Sequence, residues 1–122
     1  MAKKILLIED EANQRILYTE TLEKEGYEVA SVSNGEDGLN LLEKKDFELV
    51  IIDIRMPKMS GLETISHILG QRKNLRVIIY TSYPQYKQDF MSWAADAYIV
   101  KSSTGLNDLI TKVKELIGEP KG

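Results

Sequence analysis

The chain predicts an α/β fold, a doubly wound parallel sheet of five strands and five helices, and three observations carry that expectation. Strand-like and helix-like stretches alternate five times along 122 residues, the pattern of parallel strands joined by right-handed helical crossovers. Four of the five strand-like stretches are almost wholly apolar, as strands buried on both faces must be. Each of those four runs directly into polar residues: Glu9 and Asp10, Asp53, Thr81 and Ser82, and Lys101. In a parallel sheet all such ends lie on one rim, where the departing loops open a crevice.

The elements follow in order. Lys4 to Ile8 is a first buried strand leading into Glu9-Asp10-Glu11, acids that suit a helix start as well as a site. The helix expected over Ala12 to Glu25 takes Ile16, Leu17 and Leu22 as buried positions, Gly26 as its stop, and Glu20, Glu23, Lys24 and Glu25 as a solvated face. Glu28 to Val32 has the polar ends of an edge strand, and Asn34-Gly35 makes a turn. Gly35 to Lys45 is a second helix burying Leu39 and Leu42. Leu49-Val50-Ile51-Ile52 is a central strand that stops at Asp53. Pro57 confines Ile54 to Met59 to a loop, and Ser60-Gly61-Leu62-Glu63 has capping-box spacing.

The helix from Gly61 to about Gln71 carries Leu62, Ile65, Ile68 and Leu69 on one face. His67 falls beside that stripe, has no evident partner and is assigned no function. Leu75 to Tyr80 is a fourth strand. Tyr83 to Trp93 reads as an irregular helix with Pro84 in its first turn. Ala97 to Val100 is the fifth strand, and Gly105 to Ile117 the last helix, with Leu106, Leu109, Ile110, Val113 and Leu116 packing on the core. One domain over 1–118 with a short tail at 119–122 and no output segment is expected.

Composition narrows the functional classes. Sixteen Lys and Arg against nineteen Asp and Glu give a net charge of -3, without the basic footprint of a nucleic-acid binder. The absence of cysteine excludes disulfides, thiolate metal sites and thiol nucleophiles. Lys3 and Lys4 precede only four apolar residues, too few for a secretory or membrane segment. A cytoplasmic protein with no membrane partner is the expectation.

Three carboxylates, a hydroxyl and an ammonium brought to one rim would repel and shift one another unless used. Neighbouring carboxylates with a backbone carbonyl make an oxygen-only site that suits Mg²⁺. Such an ion neutralises phosphoryl oxygens, while Lys101 and Thr81 can contact the others. An ionised Asp53 is then an in-line nucleophile toward phosphorus, forming an acyl phosphate.

These residues resemble the receiver domain of two-component response regulators, of the chemotaxis-receiver kind, over essentially the whole chain. The matching positions are Glu9-Asp10, Asp53 with Met56-Pro57 and Gly61, Thr81, and Tyr98 with Lys101. The resemblance implies the strand order 2-1-3-4-5 and a flavodoxin-like fold. It implies that Asp53 accepts phosphate from a phosphohistidine of a histidine kinase or phosphotransfer domain. Mg²⁺ would be held by Asp10, Asp53 and the Arg55 carbonyl, with Glu9 acting through water. Lys101 would pair with the phosphoryl group and the Ser82 backbone would contact it. Thr81 would move toward it, freeing Tyr98 to change rotamer and alter a surface read by a downstream protein or output domain. The protein would be a phosphoprotein and not an enzyme, a monomer or a weak phosphorylation-dependent dimer. Arg55 and Tyr83, each two positions past a site residue, are expected to set the lifetime of the acyl phosphate.

Departures from the pattern matter too. Ser102 stands where the family usually has a cis proline. A cis Lys101–Ser102 bond would cost about 2.5 to 4 kcal/mol, so a trans bond with a re-routed loop or a strained cis bond is expected. Ala94 replaces a common Gly, and Trp93 adds bulk. Other classes fit less well. A phosphatase of the haloacid dehalogenase type needs a second acid where Arg55 stands. A flavodoxin-like carrier needs a Gly- and hydroxyl-rich loop after the first strand. A pseudo-receiver usually lacks an acid or the lysine, and none is missing.

Overall fold

A computed structural model describes residues 2–54, 61–71, 74–88, 95–101 and 105–120. Five strands, β1 (Lys4–Ile8), β2 (Glu28–Val32), β3 (Leu49–Ile52), β4 (Arg76–Thr81) and β5 (Ala97–Val100), form one sheet in the order β2-β1-β3-β4-β5. Every pair is parallel, with Leu6 opposite Ala30 and Val50, and Ile79 opposite Ile52 and Tyr98. Among the described residues the α-helices are α1 (Ala12–Lys24), α2 (Gly35–Lys44), α3 (Gly61–Gln71) and α4 (Gly105–Ile117).

Alternation along the apolar strands sends side chains to both faces. Ile5, Leu7, Leu49, Ile51, Ile78 and Tyr80 pack with Tyr18 and Leu22 of α1 and Leu109 and Val113 of α4. Leu6, Ile8, Val50, Ile52 and Ile79 pack on the other face with Leu42 of α2 and Ile65 and Ile68 of α3. Each fully buried Leu or Ile contributes on the order of 1.5–3 kcal/mol. The strands that end in charge are therefore the most firmly held parts of the chain.

Helix ends follow from local chemistry. Glu11 caps α1, accepting from the amides of Asn13 at 3.2 Å and Gln14 at 2.8 Å. Gly26 and Gly118, at φ +106° and +81°, take the left-handed conformation that stops α1 and α4. Beyond α4 the chain folds back on the start of the sheet. Lys3 Nζ donates to the Ile117 carbonyl, the Lys3 amide to Pro120 O at 2.8 Å, and the Tyr27 hydroxyl to Gly118 O at 2.6 Å.

One expectation is corrected. Ile16 and Leu17 are not buried but 56% and 50% exposed. The face of α1 turned to the sheet carries Tyr18 and Leu22, four apart, and at about 100° per residue Leu17 is turned to the side and Ile16 away. At the expected Asn34-Gly35 turn Asn34 is also the N-cap of α2, its side chain accepting from the Asp37 amide at 2.9 Å. Of the helix expected over Tyr83 to Trp93, the described part is a 3-10 turn at Pro84–Tyr86 closed by the Lys87 amide on Pro84 O, with Lys87 and Gln88 helical after it. Ser60, Trp93, Ala94 and the Lys101–Ser102 bond lie outside the described residues. Among the described residues no helix is long and apolar enough to cross a membrane.

Candidate functional site

The carboxyl ends of β1, β3 and β5 deliver Glu9, Asp53 and Lys101 to one point. Lys101 Nζ donates to Glu9 Oε1 at 2.7 Å, Asp53 Oδ2 at 2.9 Å and Gln14 Oε1 at 2.7 Å. Glu9 and Asp53 are only 2% and 8% exposed. The register dictates the meeting: Ile8 pairs with Ile52, so the residue following each strand lies beside the other. A cleft of about 320 Å³ opens over them, lined also by Asp10, Glu11, Ser82 and Tyr83.

The acidic loop is held from α1. Arg15 Nη1 donates to Glu9 O at 2.8 Å, and the Glu11 amide to Glu9 Oε2 at 3.1 Å. The three acids thus divide the roles that sequence left open: Glu11 caps, Glu9 turns inward to Lys101, and Asp10 stays exposed at the cleft. Burial raises the Glu9 pKa above the ordinary carboxylate value and the Asp53 charge adds to the rise. The Lys101 hydrogen bond and the Glu11 amide oppose it. For Lys101 burial disfavours the ammonium, but hydrogen bonds to Glu9 and Asp53 and their charges outweigh it and hold the pKa above the usual lysine value.

Around this centre sits a chain of weaker links. Thr81, fully buried at the end of β4, accepts through Oγ1 from the Tyr83 amide at 3.4 Å. The Tyr83 carbonyl in turn accepts from the Tyr98 hydroxyl, whose ring is buried on the face packed with α3. Thr81 and Tyr98 are therefore two hydrogen bonds apart through one loop residue. Ser82 is exposed at the cleft. Arg55, with its carbonyl, lies outside the described residues.

Two residues go beyond what sequence indicated. Gln14 and Tyr18, both on α1, back Lys101: Tyr18 donates to Gln14 Oε1 at 3.2 Å, and Lys101 Nζ lies 5.6 Å from the Tyr18 ring centroid and 5.7 Å from that of Tyr80. Their four-residue spacing places them on one helix face, the only sequence signal that could have paired them.

Glu9, Asp10 and Asp53 supply oxygen donors alone, the set a hard cation takes. Among the described residues no three acidic or histidine side chains converge closely enough to enclose a metal by themselves.

A parallel sheet in this order, with acids and a lysine gathered at its carboxyl rim, defines a signalling receiver. The chain belongs to the response regulator receiver domain family, whose model matches residues 5–114. It is 37% identical to sporulation initiation phosphotransferase F of Bacillus subtilis over 83 residues, 68% of this chain and 67% of that protein. It is 32% identical to the virulence regulator BvgA of Bordetella pertussis over 120 residues, 96% of this chain and 57% of BvgA, so it spans less than two thirds of that regulator. The response regulator TrrA of Thermotoga maritima, solved with Mg²⁺–BeF, superposes with a TM-score of 0.87 at 43% identity, covering 94% of this chain and 99% of TrrA. TrrA has also been solved in complex with the histidine kinase ThkA, with a TM-score of 0.85 at 43% identity over 94% and 98%.

Proposed function

We propose that Asp53 is the phosphoacceptor of a two-component relay. The observation that carries this reading is the single ammonium of Lys101 held between Glu9 and Asp53, residues 92 and 48 positions away in sequence, beneath a cleft that Asp10 lines. A carboxylate oxygen of Asp53 forms the new P–O bond as the P–N bond of a phosphohistidine breaks, and the departing imidazole takes up a proton. Lys101 shifts from the carboxylate to the incoming phosphoryl oxygens, with the Ser82 amide as a further donor. Asp10, Asp53 and the Arg55 carbonyl, with Glu9 through water, would hold Mg²⁺, which supplies charge neutralisation at the phosphoryl group. The donor protein is a histidine kinase or phosphotransfer domain. Exposed Ile16 and Leu17, on the helix whose first turn lines the cleft, supply the apolar anchors such a protein covers.

The signal leaves through Thr81. Rotation of its hydroxyl toward the phosphoryl group gives up the Tyr83 amide, which loosens the carbonyl that holds the Tyr98 hydroxyl. About two negative charges arriving beside movable donors are an adequate driving force. Tyr83 and Arg55 screen the acyl phosphate from water and so set its lifetime. The test is incubation with acetyl phosphate and Mg²⁺ followed by intact mass. Wild type should gain one phosphate and Asp53→Asn none. A gain in both would misplace the acceptor, and no gain in wild type would make the chain an unphosphorylated interaction module.

A further inference from the structure

We infer that Gln14, backed by Tyr18, is a positioning residue for Lys101, the third acceptor that sets where the ammonium points when a phosphoryl group reaches Asp53. This rests on the phosphoacceptor reading and adds α1 side chains that neither chelate the ion nor receive the phosphate. An ammonium has three N–H donors and can accept nothing. Lys101 has three oxygen partners, Glu9 Oε1, Asp53 Oδ2 and Gln14 Oε1, so its hydrogen-bonding capacity is filled. Because lysine only donates, the amide oxygen must be the Gln14 atom that faces it, which fixes the orientation of the amide.

That oxygen is shared. The Tyr18 hydroxyl donates to it at 3.2 Å, and the Tyr18 ring packs edge-on against Tyr80 with centroids 5.1 Å apart. Both rings are buried and Lys101 lies within 6 Å of each. The wall behind the ammonium is thus aromatic and rigid, with one neutral acceptor set into it. When phosphoryl transfer takes the Asp53 bond away, Glu9 and Gln14 leave two fixed points that direct the third N–H at the incoming oxygens. Without the Gln14 oxygen Glu9 is the one strong tether that remains, the Tyr18 hydroxyl being the weaker acceptor left on that side, and the ammonium can swing. Positional precision of this kind is what phosphoryl transfer depends on.

Gln14→Met keeps the length of the side chain and drops its acceptor, Tyr18→Phe keeps the ring and drops the hydroxyl, and Gln14→Glu restores an oxygen. Two readouts are taken. The first is the Lys101 ammonium signal in proton–nitrogen NMR of the unphosphorylated protein, which survives solvent exchange only when the donors are held. The second is the rate of phosphorylation by acetyl phosphate in Mg²⁺. In Gln14→Met the signal should vanish and the rate fall about tenfold, the scale of one oriented hydrogen bond to a charge, with Tyr18→Phe between it and wild type. Gln14→Glu should recover the signal. A Gln14→Met protein that keeps the signal overturns the inference whatever its rate, and so does one that phosphorylates at the wild-type rate. Both results leave the function intact if wild type still takes phosphate. Failure of wild type to take phosphate would instead remove the function on which the inference rests.

Discussion

The two rims of the sheet carry similar charges and treat them in opposite ways. At the amino rim Lys4 meets Glu28 at 3.9 Å and Arg76 meets Asp96 at 3.4 Å, all with substantial solvent access. Glu48 and Asp96 there also accept from the amides of Lys4 at 2.6 Å and Val77 at 2.8 Å. These acids tie down strand starts, and exposed pairs of this kind contribute about 0.2–1 kcal/mol. At the carboxyl rim Lys101 is 12% exposed and serves two carboxylates that are nearly closed to water. Desolvating three charges with only one positive among them costs several kcal/mol. Charge retained where it opposes stability is the physical mark of a site.

Removing Lys101 should give the widest separation between the rims. Lys101→Met removes the ammonium that Glu9 and Asp53 share, and urea denaturation should show a loss of about 3 kcal/mol, with phosphorylation abolished. Unchanged stability would mean that the two acids are hydrated and that the rims do not differ.

A smaller effect is expected from pH. Burial pushes the Tyr80 phenol up to about 12 and raises Tyr18, and Lys101 is held above its ordinary value by Glu9 and Asp53. The unfolded chain gives up these protons first, near 10.0 for tyrosine and 10.5 for lysine. Stability from these groups is therefore complete below about pH 10 and lost as pH rises through the higher folded values. Glu9 has the same sign at the acid end. Its folded pKa is raised, so its contribution grows as pH falls through that value toward the ordinary carboxylate value. Urea midpoints that stay level between about pH 9 and pH 11 would contradict the alkaline part.

The smallest change belongs to the amino rim. Arg76→Ala should alter stability by less than about 1 kcal/mol and leave phosphorylation as in wild type. A larger loss would show that this rim, too, depends on its ion pairs.

Most of the architecture was legible because single elements announced themselves. The bounds expected for the first and fifth strands and the last helix are those observed, since an apolar run closed by a charge or a glycine leaves little choice. The fourth strand lies one residue later than expected, at Arg76–Thr81, which brings Thr81 into the strand. The meeting of Glu9, Asp53 and Lys101 was also readable, because parallel topology alone carries strand ends to one rim. Ile16, Leu17, Gln14 and Tyr18 were not. Which face of α1 meets the sheet is decided by the angle at which the helix is laid down. In that helix apolar and polar residues mix without a clear stripe, and the outcome put a glutamine and a tyrosine inward and two aliphatics outward.

The bonds from Lys3 and Tyr27 to the carbonyls of residues 117, 118 and 120 have a mechanical meaning. The first strand lies in mid-sheet between β2 and β3, and the same short stretch of chain is fastened to the end of the last helix. A stretching load applied along β1 is therefore shared with α4 through these bonds.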